Sequence, residues 1–177
     1  MGKKLLNSRL WVLCLFLFFA GCVSIPRSFH ALTYRKQSVY LSKDRFYRVG
    51  PLSAEWKQTA SKNKAGVYFH NKVTGARIAT EAICGAAFED LSLKILTEQV
   101  LSELQNVKKQ KQENWMLSDR AALYSIYSAA LDGVPVQLNI LVTKKDQCQF
   151  DFWAVSNPKA GPQTSADFEN FVKGFNY

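Results

Sequence analysis

Few side chains in this sequence could do chemistry. They are a serine–lysine pair, a histidine at a strand end, a handful of carboxylates and four cysteines. Ser61-Lys62-Asn63-Lys64 has the Ser-x-x-Lys spacing that sets an amine beside a nucleophilic hydroxyl. Enzymes built on that pair also need Ser-Asp-Asn and Lys-Thr-Gly, and neither occurs here. A solvated, lysine-rich loop is the expectation. There is no Gly-x-Ser-x-Gly, P-loop, dinucleotide fingerprint or His-Glu-x-x-His. His70 stands beside a turn with no activated nucleophile or orienting group in its neighbourhood of sequence, so it reads as a solvent-exposed turn residue. Paired carboxylates would have to come from Glu81, Glu89, Asp90, Asp119 or Asp151. Only Glu81 and Asp151 fall in expected strands with apolar neighbours, where a buried salt link or a solvated strand face explains them equally well. No catalytic residue is assigned.

The first two cysteines, Cys14 and Cys22, fall within and directly after what reads as the chain's leader. Lys3, Lys4 and Arg9 precede an apolar run, Leu10 to Ala20, that contains Cys14. A membrane-spanning helix needs roughly 20 apolar residues, so the run is too short to span; a charged region, a short apolar run and small residues read as a secretory signal. N-myristoylation is excluded because Leu6 stands where Ser or Thr is required. Phe19-Ala20-Gly21-Cys22 resembles the lipobox of bacterial lipoproteins, with Phe19 in place of the preferred Leu. That resemblance implies cleavage after residue 21 and a thioether-linked diacylglycerol on Cys22. It also implies a further acyl chain, of the palmitate class, on the amine. Two or more chains anchor a protein stably. Val23, rather than the Asp that retains such lipoproteins in an inner membrane, implies the outer membrane, with the protein facing the periplasm.

With Cys14 removed and Cys22 acylated, Cys84 and Cys148 remain in an oxidising compartment, where a disulfide is the expectation. Closing so long a loop would contribute about 4 kcal/mol in the chain-entropy picture. Zinc fits poorly: only His30 and His70 could join these cysteines, and no Cys-x-x-Cys spacing exists. No metal and no cofactor are expected.

The elements that must position these residues follow from periodicity. Residues 1–21 are read as the signal peptide, 22–44 as a polar, basic tether and 45–177 as one domain. Strands are expected at Phe46–Val49, Val67–His70 and Arg77–Cys84, with Trp56 in an irregular segment between the first two. Leu93, Leu96, Val100, Leu104 and Val107 recur at helical spacing and predict a long helix over about 90–107, capped by Asp90, with Lys108 and Lys109 at its C-terminal end. Trp115–Leu117 forms a short strand. Residues 121–131 and 134–143 flank Asp132-Gly133, a strong hairpin signal. That loop would pair Leu131 with Val134, and the series runs to Leu123 with Val142. Lys144-Lys145-Asp146 turns the chain into a strand over Cys148–Val155. Phe168, Phe171, Val172 and Phe175 predict a C-terminal helix over about 166–175, capped by Ser165 or Asp167.

These elements give an α+β fold: an antiparallel sheet of about six or seven strands packed by the two helices. Order and the Phe171–Phe175 helix resemble the PsbP-like fold over residues 45–177. That resemblance implies a domain that binds or stabilises other proteins and lacks an active site.

The whole chain carries 23 Lys+Arg against 14 Asp+Glu, is 47% hydrophobic and 21% charged, and so is neither disordered nor fibrous. Basic charge invites a nucleic-acid partner, but no such motif accompanies it and none is expected in the envelope. The partners expected are the bilayer, through acylated Cys22, and an envelope protein of unknown identity. Lys108, Lys109, Lys111, Lys144 and Lys145 are the candidate interaction surface, facing anionic headgroups or an acidic partner if they lie together. Trp56, Trp115 and Trp153 are the alternative surface, against simple core packing. The leading expectation is a membrane-anchored, non-enzymatic envelope lipoprotein, an accessory or adaptor for a protein or lipid-transport assembly. A periplasmic small-ligand or lipid carrier with an apolar pocket between helix and sheet is the alternative. An envelope hydrolase is the third.

Overall fold

The computed structural model describes residues 32–59 and 66–177. The leader, Cys22, His30 and Ser61–Lys64 lie outside the described residues. Three short strands, β1 (Thr33–Arg35), β2 (Ser38–Tyr40) and β3 (Phe46–Arg48), form a small antiparallel sheet. A second sheet of seven strands is the body of the domain. It contains β4 (Trp56–Thr59), β5 (Gly66–Asn71), β6 (Arg77–Cys84), β7 (Gln105–Leu117), β8 (Arg120–Leu131), β9 (Val134–Lys145) and β10 (Cys148–Ser156). Their spatial order is β4-β5-β6-β10-β9-β8-β7, antiparallel throughout. Two helices, α1 (Leu93–Val100) and α2 (Gly161–Lys173), pack against it. This is the α+β architecture expected from the sequence.

The Asp132-Gly133 hairpin has the expected register, with Leu131 opposite Val134, Tyr127 opposite Leu138 and Leu123 opposite Val142. Both turn residues take positive φ, +49° and +78°, the backbone that matches strand twist in a two-residue hairpin. The next hairpin turns one residue later than expected: β9 runs through Lys145, and Asp146-Gln147 supply the left-handed pair.

Alternation then sorts β10 onto two faces. Phe150, Phe152 and Ala154 enter a fully buried core beneath α2 and the small sheet, with Tyr47, Phe168, Phe171 and Phe175. Tyr47 is wholly buried because its hydroxyl meets Thr80 Oγ1 at 2.7 Å. The opposite face carries a smaller core of Leu96, Tyr127, Leu138, Ile140 and Val142 under α1.

Several boundaries differ from the sequence expectation. The helix over 90–107 is cut to Leu93–Val100, and residues from Gln105 onward are strand. Residues 105–114 are polar or charged apart from Val107, so a helix there would bury nothing, whereas β8 offers an unpaired row of backbone groups. Ser92, not Asp90, caps α1: its Oγ accepts from the Ile95 amide at 3.3 Å. The C-terminal helix starts at Gly161 rather than near 166, because Pro162 in its first turn loses no hydrogen bond there. Neither Ser165 nor Asp167 caps it. Ser165 binds Asn139, and Asp167 accepts from Trp56. Trp56 opens strand β4 instead of lying in an irregular segment, and Trp115–Leu117 is only the end of the long strand β7. The tether expected over 22–44 gives way to ordered structure by residue 33, where Val39 is fully buried and Tyr34 sets its ring edge against Phe69 at 5.0 Å.

The last turn of α2 packs on the backbone of β3's exit. Gly50 N–H donates to Phe171 O at 2.7 Å, and a Cβ on Gly50 would collide with the Asn170 carbonyl. At the far edge of β6, Cys84 and Cys148 lie opposite each other in register and form a disulfide, Cα–Cα 4.1 Å. A Cys84→Ala, Cys148→Ala double variant is expected to unfold at lower denaturant, with a somewhat larger m-value because the unlinked denatured chain is more expanded. The loss should be on the order of 2–4 kcal/mol. Equal midpoints would show that the sheet alone fixes this register.

Candidate functional site

Strands β6 and β10 run antiparallel with Cys84 opposite Cys148, which sets Ile83 opposite Gln149, Glu81 opposite Asp151 and Ala79 opposite Trp153. Paired residues share a face, so these side chains all project to the α1 side. Helix α1 has eight residues and extends only about 12 Å. Its Leu96 packs over β9, on Leu138 and Ile140, and the face over β6 and β10 is left uncovered. The result is a groove of about 440 Å³ between helix and sheet. Leu96, Val100 and Leu104 form its roof, and Leu138, Trp153 and Val155 its apolar floor. A smaller hollow of about 180 Å³ continues it past Ile83 and Leu91.

Two carboxylates stand in this apolar floor. Asp151 is 8% exposed. Its Oδ2 accepts from Gln149 Nε2 at 2.7 Å, while Oδ1 has no partner. Burial raises its pKa to about 7; the Gln149 hydrogen bond opposes the shift and the neighbouring Glu81 charge adds to it. Glu81 Oε1 accepts from the Tyr68 hydroxyl at 2.5 Å. The Tyr68 ring meets Trp153 edge-on at 5.9 Å. Two rings and two acids therefore converge on one spot. Arg77 and Glu103 complete the charged part of the lining. Among the described residues, that lining contains no Ser, Thr, Cys, His or Lys, and the hydroxyl that touches the acids is the Tyr68 phenol, which donates to Glu81.

The tryptophans separate. Trp153 lines the groove. Trp56 is buried under α2, where its Nε1 donates to Asp167 at 3.0 Å. Trp115 lies over the Tyr124 ring at 4.5 Å, with the Lys173 ammonium above it. The five lysines do not make one positive face. Lys108, Lys109 and Lys111 lie on β7, the sheet's edge, rather than at a helix end. Lys108 is opposite Ser128, which is opposite Gln137 on β9; Lys144 lies seven residues further along that strand, about 23 Å away. Lys144 is also engaged, with Asp90 at 2.5 Å and the Leu91 carbonyl, and Lys145 donates to the Tyr177 carbonyl. The separation reflects the turn geometry, which sends the two lysine groups to opposite ends of the strands.

Glu81 and Asp151 were separable from the other acids by their strand neighbours, but Tyr68 and the groove itself carried no motif. Asp119 lies in the β7–β8 turn at φ +61°, and His70 is part-exposed in β5 opposite Arg77.

No protein-family model matches the sequence, and no curated protein matches it. Solved structures share the fold. The PsbP-like protein CyanoP of Synechocystis superposes with TM-score 0.53 at 11% identity, over 73% of this chain and 85% of that one. LpqN, described as involved in cell envelope biogenesis of Mycobacterium tuberculosis, gives TM-score 0.51 at 11% identity over 73% and 83%. A Bacteroides thetaiotaomicron protein gives 0.52 at 10%, over 73% of this chain and 44% of its own. The chain thus has a PsbP-like fold.

A carboxyl whose folded pKa is raised binds more protons folded than unfolded. Its stability contribution is full below the unfolded value near 4 and is lost as pH rises through about 7. Asp151→Asn removes that loss. The variant is expected to match the parent near pH 4 and exceed it at about pH 8, by up to about 4 kcal/mol, in denaturant melts across pH. A pH-independent difference would show that Asp151 is solvated.

Proposed function

We propose that this chain is a membrane-anchored, non-enzymatic envelope lipoprotein that acts as an accessory or adaptor for a protein or lipid-transport assembly. The open groove between α1 and the sheet carries the reading. A closed core would suffice for a purely structural domain, whereas this one leaves apolar floor and roof exposed to a partner group. The leader with Cys22 supports the anchor and the outer-membrane address, and a fold shared with an envelope-biogenesis protein is consistent with the compartment. The same groove favours the carrier reading as a second one, in which a small apolar ligand or lipid is held there. Its volume is in the range of small-molecule sites. A hydrolase has less support, since the lining supplies two acids and no nucleophile of the usual kinds.

Complementation of a strain lacking the native copy separates anchor from groove. Cys22→Ser should remain unprocessed, take up no labelled fatty acid and fail to complement. Val100→Trp, which fills the groove from a half-buried roof position, should be acylated and reach the membrane normally yet fail as well. Full complementation by Val100→Trp would move the working surface elsewhere on the domain.

A further inference from the structure

We propose that the groove is a binding site for a small apolar amine. Its ammonium group is held at the Asp151–Glu81 pair and its apolar body lies between Trp153 and the α1 residues Leu96 and Val100. This rests on the groove being the working site and names the chemistry it selects.

Three observations carry it. Asp151 is nearly inaccessible, it lines the groove, and its Oδ1 has no hydrogen-bond partner. A buried acceptor left without a donor costs free energy, and a ligand that brings a donor recovers it. The charge in the lining is lopsided: Glu81, Glu103 and Asp151 against Arg77. No ion pair among the described residues engages Glu81 or Asp151, so Arg77 does not neutralise them. An anionic ligand would be repelled, a neutral alcohol brings one donor and no charge, and an ammonium brings three donors and the opposite charge. The Tyr68 and Trp153 rings beside the acids add the faces on which cations bind. The remaining length of the groove is apolar and takes a hydrocarbon body.

Asp151 gives the site a pH dependence. Charged and titratable groups on the same face are Glu81 and Arg77 on β6, His70 on β5, Glu103 beyond α1, and Lys144 on β9, the last held by Asp90. Comparison with Asp151→Asn subtracts their contribution.

The test is calorimetric titration of the full-length acylated protein in nanodiscs, against empty nanodiscs, with hexylamine, hexanol and hexanoate. At about pH 8.5 hexylamine should bind at least about tenfold more tightly than hexanol, as a charge-assisted hydrogen bond predicts, with hexanoate weakest. At about pH 5.5, with Asp151 protonated, the preference should fall severalfold. Asp151→Asn should abolish the amine preference at the higher pH, and a denaturant melt near pH 4, where it should match the parent, shows that the variant is folded. Equal binding of amine and alcohol by the parent would overturn the ammonium site and leave the apolar groove standing. An amine preference that survives Asp151→Asn would overturn the assignment to Asp151. Binding of none of the three would overturn both this inference and the reading of the groove as a carrier site.

Discussion

The register of β6, β10, β9 and β8 is the constraint from which the rest of the domain follows. Antiparallel strands have a side-chain period of two, so a slip of one residue would exchange the faces of a whole strand. The tight Asp132-Gly133 and Asp146-Gln147 turns pin two of the three pairings, and the Cys84–Cys148 bridge lies in register on the third. With those fixed, Phe150 and Phe152 must face α2, and Asp151 and Trp153 must face the side of the sheet that carries α1. A slip in β10 would bury neither set properly: aromatic rings would face the groove and a carboxylate would enter the aromatic core.

The two faces are covered unequally, and that inequality makes the site. Helix α2 has 13 residues, an apolar stripe of Phe168, Phe171 and Val172 that Phe175 extends just past its end, and help from the small sheet. Its side is sealed. Helix α1 has eight residues and a polar sequel that pairs with β8 as strand, so it covers β9 and leaves β6 and β10 open. The chain could have sealed this face with one more helical turn. Instead, an acid whose pKa is raised by burial stands on an open floor, an arrangement that weakens the fold at neutral pH and is more useful for recognition than for stability.

A seven-stranded sheet with an open amphipathic groove on one face suits a domain that holds an apolar group there. The rigid side of the domain carries the close contacts, such as the backbone-to-backbone packing of Gly50 and Gly174 that ties α2 to β3. The lysines of β7, along an exposed edge strand with two register shifts, keep that edge from pairing with other strands, a role that does not need them to face a ligand.

By itself the sequence determined the features that depend on near neighbours along the chain. The hairpin register follows from a two-residue turn, the C-terminal stripe from helical spacing, and the α+β class from the order of elements. Even the pairing of Glu81 with Asp151 was encoded, three residues inward from each cysteine once Cys84 and Cys148 are set opposite one another. What only the tertiary structure decided depends on competition between distant segments. Residues 105–107 continue a helical spacing, yet β8 presents an unpaired edge and wins them as strand. The apparent tether from residue 33 onward becomes two strands, β1 and β2, beside the expected β3 because the core has room for Val39. The two lysine groups, 108–111 and 144–145, are far apart along the strands, because each strand carries its charges about 3.3 Å per residue away from its turn. The groove exists only because a helix ends early, and no local pattern states how much of a sheet a helix will leave uncovered.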